Sequence, residues 1–154
     1  MVKKIFSVLI LCLSIDILFA QDIEQAHKLF KDQKYSVAQM LYQEVISNGN
    51  GNQTVEYFHA KCSKELFLQD AIVLYEKYIG DYPYSNFINQ VNEDIGLIHF
   101  RNKEYEKAIL SFHRVKDLNS KTYLIFKLAY ANLCIDSLDE ARYYFSKLMT
   151  IESK

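Results

Sequence analysis

Tyr105-Glu-Lys-Ala108-Ile-Leu-Ser-Phe112-His-Arg-Val115 decides the fold, because the chain carries its pattern four times. The earlier copies are Tyr35-Ser-Val-Ala38-Gln-Met-Leu-Tyr42-Gln-Glu-Val45 and Leu68-Gln-Asp-Ala71-Ile-Val-Leu-Tyr75-Glu-Lys-Tyr78. The last is Leu138-Asp-Glu-Ala141-Arg-Tyr-Tyr-Phe145-Ser-Lys-Leu148. Each reads large apolar, two others, Ala, three others, aromatic, two others, large apolar. Steps of three, four and three place these four residues on one stripe of an α-helix. Ala at the second position lets a neighbouring helix cross closely, and the aromatic one turn on fills the wider gap beside that crossing.

A second helix precedes each copy. Twelve residues before the alanines stand Ala26, His59, Gly96 and Ala129, three of them small as a close crossing requires. His59 departs, and its neighbour Ala60 takes the role if that turn is one residue shorter. Asn48-Gly-Asn-Gly-Asn52 is a turn cluster between the first two units, and Pro83 ends the second. Asn119-Ser120 is expected to cap the seventh helix and Ser137-Leu-Asp-Glu140 to open the eighth. The alanines step by 33, 37 and 33 residues, a period typical of stacked helix pairs.

These residues resemble the tetratricopeptide repeat, a helix-turn-helix unit of about 34 residues. Gly96 with Ala108 and Phe112, and Ala129 with Ala141 and Phe145, match that family's small–Ala–aromatic signature. Ala26, Ala38 and Tyr42 match it in the first repeat, and Ala71, Tyr75 and Pro83 in the second. Departures are the single exit proline, the missing first-helix Trp, and large residues at Val45, Tyr78, Val115 and Leu148. The resemblance implies an all-α solenoid of about four antiparallel helix pairs in a right-handed superhelix. Its repeats would run about 22–50, 53–83, 84–118 and 120–151, within one repeat domain of residues 21–154.

Residues 1–20 differ from the rest. Lys3 and Lys4 precede the uncharged, mostly apolar run Ile5–Ile15, and Ala20 is a small residue at a cleavage-type position. That pattern reads as a secretory signal cut after Ala20. The run is too short to span a bilayer, which takes about 20 apolar residues. Cys12 lacks the small preceding residue of a lipidation signal, since Leu11 stands there. Cys62 and Cys134 would lie two repeats apart, beyond disulfide reach, and are expected as buried, inert thiols.

Composition excludes other classes. One proline and four glycines cannot supply the turns of an all-β fold. Half the residues are apolar and the formal net charge is −1, which excludes disorder. Basic and acidic residues are interspersed, which argues against nucleic acid as a ligand. No phosphate loop, serine-hydrolase elbow, zinc-helix or paired-cysteine motif occurs. His27, His59, His99 and His113 are scattered singly, so no metal or cofactor is expected. Glu93 with Asp94, and Glu104 with Glu106, read as a solvated face rather than catalytic pairs.

The expected function is that of a non-enzymatic scaffold binding protein or peptide through the concave face of the array. It resembles small periplasmic or envelope tetratricopeptide proteins of Gram-negative bacteria. First-helix positions outside the packing stripe supply the candidate contacts His27, Lys31, Tyr57, Lys64, Leu97, Arg101, Phe126 and Tyr130. The apolar last helix, with Tyr143, Tyr144, Phe145, Leu148 and Ile151, offers an edge for self-association. The alternative is a sensory or regulatory repeat segment of a larger receptor or envelope protein.

Overall fold

The computed structural model describes residues 21–152. The leader segment, its cleavage point and Cys12 lie outside the described residues. All the regular structure described is helical. Eight α-helices run α1 (21–31), α2 (Tyr35–Ser47), α3 (Gln53–Glu65), α4 (Ala71–Asp81), α5 (Ile88–Arg101), α6 (Tyr105–His113), α7 (Thr122–Cys134) and α8 (Leu138–Glu152). A 3-10 turn, Leu118–Ser120, precedes α7. The contacts divide the chain into two compact units, one through Tyr78 and one from Ile79.

One turn geometry recurs inside every helix pair. Gln33, Phe67, Lys103 and Asp136 each adopt left-handed backbone, with φ between 56° and 62° for this group and Asp117 together. Around each, the same two bonds close the preceding helix. Gln33 N–H donates to the Phe30 carbonyl and Lys34 N–H to that of Leu29. The pairs from Phe67 and Leu68, from Lys103 and Glu104, and from Asp136 and Ser137 repeat this. Such a left-handed residue lets the last carbonyls of a helix find partners where it must end. The position is usually glycine, and here it never is. That is how so few glycines suffice for four interhelix turns.

The same residues fix the repeat register. Ala26, Ala60, Gly96 and Ala129 each stand seven positions before the left-handed residue. Ala60 therefore holds the small position in the second repeat, and the turn after it is one residue shorter. His59 is also buried beside it.

Connections between pairs are less uniform. Gly49 has φ 78°, a conformation that carries little cost only for glycine. Asn52 then caps α3, its Oδ1 accepting from Thr54 N–H at 2.9 Å and Val55 N–H at 3.1 Å. Against the first-to-second step, the extra residues of the second-to-third step fall one each in α4, the 82–87 connection, α5 and the stretch 102–107 before Ala108. Asn119 and Ser120 do not cap α7. They belong to the 3-10 turn, where the Ser120 hydroxyl donates to the Asp117 carbonyl and Asn119 Oδ1 accepts from Lys147.

In the first unit Ala26, Ala38, Tyr42, Val45, Val55 and Cys62 form the core. In the second, Ala108, Phe112, Val115, Leu124 and Leu128 do so. Ala71, Tyr75, Ala129 and Ala141 are also buried. Phe145 is only half-buried, unlike its counterparts Tyr42, Tyr75 and Phe112, which are fully buried. Cys62 is buried as expected of it, whereas Cys134, at the end of α7, is exposed.

Candidate functional site

The eight candidate contact residues fall four to each unit. In the first, Lys31 is exposed, and His27 is half-buried and hydrogen-bonded at 2.5 Å to the Tyr42 hydroxyl. The His27 ring packs edge-on against Phe58. Burial, with Lys31 nearby, lowers the His27 pKa. Lys64 is half-buried and paired with Glu65 at 3.0 Å. Tyr57 is buried, its ring against Phe58 and Tyr78, so it belongs to the core and not to a binding face. An aromatic at a first-helix position can face either a partner or the next helix, and spacing alone does not separate the two.

In the second unit Leu97 is half-buried against the Ala108–Phe112 core and Arg101 is exposed at the end of α5. Phe126 and Tyr130 are 51% and 41% exposed, although the other side of α7 is fully buried through Leu124, Ile125, Leu128 and Ala129. Tyr123 and Leu133 are comparably open. The four lie at steps of three, four and three, so they form one stripe of α7. Sequence reading picked out two members of this stripe. The spacing from Tyr123 to Leu133 was the signal for the other two.

The polar groups of this unit tie helices together. Glu93 and Asp94 are buried, not part of a solvated face. Glu93 accepts from Lys121 and from the Tyr123 hydroxyl, which joins α5 to the start of α7. Burial, then the Glu93 contact, raises the Tyr123 pKa. That pairing accounts for an acid at a buried helix position, since a buried carboxylate without partners is costly. His99 Nδ1 lies 2.5 Å from Glu104 Oε2, across the turn between α5 and α6. The bond to His99, with Lys107, holds Glu104 below the usual carboxylate range. The His113 ring lies against that of Tyr144. Among the described residues no group of three His, Cys, Asp or Glu converges as metal ligands would. No helix there is long and apolar enough to cross a membrane.

Helix pairs that cross at a small residue, with an aromatic wedged beside the crossing, define a tetratricopeptide-like helical-repeat solenoid. The solved structure of MamA AMB-1, a protein of that fold, matches with a TM-score of 0.75. The match covers 88% of this chain and 73% of that one at 20% sequence identity, a likeness of fold. No protein-family model and no curated protein sequence matches the chain.

Proposed function

We propose that this chain is a non-enzymatic scaffold of the bacterial cell envelope that binds a protein or peptide. One observation carries the reading: Tyr123, Phe126, Tyr130 and Leu133 stay open to solvent as one stripe of a helix otherwise packed into the core. Contiguous exposed aromatics on a rigid helix suit partner binding, where Tyr and Phe supply large contact area at low entropic cost. The helical-repeat fold supports it, because such arrays present extended surfaces built from successive helices.

Capture from the native envelope tests the binding half. Wild-type chain should retain a specific partner, and Tyr130→Ala should lose it while keeping its helical circular dichroism. Equal capture by both would count against the stripe, and unfolding of the variant would make Tyr130 a core residue. Export is tested separately by fusing residues 1–24 to a reporter that is active only outside the cytoplasm. An inactive fusion would remove the envelope assignment.

A further inference from the structure

His59 is a polar ring at a core position. It is 7% exposed, and its ring nitrogens make no hydrogen bond among the described residues. The repeat register places it one residue before the small position Ala60. In the next two repeats that place is held by Ile95 and Leu128, both buried. The second repeat thus carries an imidazole where an apolar side chain serves elsewhere. A buried polar group without a partner is costly and rare in a native fold, so the ring calls for an explanation other than packing.

The ring lines a cavity of about 210 Å³ in the first unit. Gln43 and Ile46 of α2, Glu56 of α3, and Leu74 and Lys77 of α4 complete the lining. Glu56 and His59 stand three apart on α3 and so share a face. Lys77, whose side chain is 57% exposed, donates from Nζ to Glu56 Oε2 at 2.9 Å. Gln43 Nε2 donates to Ser47 Oγ at 3.1 Å, which leaves its Oε1 to accept. Burial keeps the His59 ring neutral, and the charges that bear on it, Asp70 and Glu56, are both negative. At about 30 Å³ per water the space is that of roughly seven waters, enough for a short aliphatic stem with a polar head.

We infer that this cavity binds a primary ammonium group carried on a short aliphatic stem. An ammonium has three N–H donors and no acceptor, which matches the Glu56 carboxylate, the unprotonated His59 nitrogen and the Gln43 oxygen. Ile46 and Leu74 supply apolar wall for the stem. Lys77 shows the carboxylate's choice of partner: the chain's own ammonium sits on Glu56, and the ligand's competes with it. A carboxylate ligand would meet Glu56 and Asp70, both of its own sign. A metal ion does not suit the site, since no third ligand converges there. Two sources offer the same chemistry, a free alkylamine and a lysine side chain of another protein. The site stands within the first unit and does not depend on the α7 stripe.

The probe is n-butylammonium, titrated into the isotope-labelled chain at pH about 7.5, where the amine is charged and the ring neutral. The His59 ring and the Ile46 and Leu74 methyl groups are read by NMR, with n-butyrate as the control of like size and opposite charge. Butylammonium should shift these signals saturably and butyrate should not. Glu56→Gln is expected to weaken binding about ten-fold. Lys77→Gln is expected to strengthen it about three-fold, because an exposed internal competitor is gone. His59→Leu, which copies Leu128, should weaken it about ten-fold at the methyl groups. Nα-acetyl-lysine N-methylamide separates the sources: binding as tight as butylammonium's supports a lysine side chain, and binding of butylammonium alone supports a free amine. No saturable shift, which would leave water as the occupant, overturns the inference. So does butyrate binding as tightly as butylammonium, or Lys77→Gln weakening the amine.

Discussion

A β-carbon on Gly96 would lie 2.5 Å from both Cδ1 and Cε1 of Phe112. The ring occupies the space a side chain would need, so α5 and α6 approach as closely as they do because residue 96 has none. Both partners are rigid or fully buried, which leaves little room for relaxation.

Gly96→Ala is therefore expected to destabilise the chain by about 1–3 kcal/mol, the usual range for overpacking, despite alanine's better helix propensity. In a Phe112→Leu background the same change should cost clearly less, because the obstructing ring is gone. Urea unfolding of the four proteins checks this, and strictly additive costs would contradict the contact.

Lys103 holds left-handed backbone at φ 62° with an exposed side chain. Lys103→Gly removes that strain and gives back part of the gain as unfolded-chain entropy. A net stabilisation of about 0.5 kcal/mol is expected, seen as a melting temperature higher by about 1–2 °C. A lower melting temperature would mean the side chain contributes more than its conformation costs.

Burial lowers the pKa of both His27 and His59, in the latter against the opposing pull of Asp70 and Glu56. A histidine lowered in the folded state takes up a proton on unfolding once the pH is below its unfolded value of about 6.5. The neutral forms thus contribute fully above that value, and stability falls on acidification through it. Melting measured from pH 8 to pH 5 should decline below about 6.5, and His27→Gln should flatten the decline. A profile unchanged by that substitution would place His27 in water.

Cys62 is buried and its thiol is pushed up to about 12, chiefly by burial, whereas Cys134 is exposed. A thiol reagent at neutral pH should modify Cys134 promptly and Cys62 only on unfolding. Mass spectrometry of the labelled peptides reads this directly, and equal rates would contradict the burial of Cys62.

The repeat was legible because its signals are local. Ala38, Ala71, Ala108 and Ala141 recur with an aromatic one turn later, and the stripe they form depends only on helix geometry. The turns were not legible as such, since Gln33, Phe67, Lys103 and Asp136 fill a position where glycine is the usual marker. Tyr57 and Phe126 show where reading of the site stopped. Both are first-helix aromatics, yet Tyr57 is buried and Phe126 is half exposed. What separates them is which helix covers each, a tertiary fact. Glu93 misled for the same reason: its partners Lys121 and Tyr123 are about 30 residues on in sequence, and only packing brings them to it.

Photo-crosslinking from two tyrosine positions reads whether the α7 stripe touches a partner. A benzophenone amino acid replaces Tyr130 on the α7 stripe in one protein and Tyr84, the more exposed at 98%, in the other. In the native envelope a discrete adduct is expected from position 130 and none from position 84. Adducts of equal yield and pattern from both positions, or a discrete adduct from position 84 alone, would contradict it.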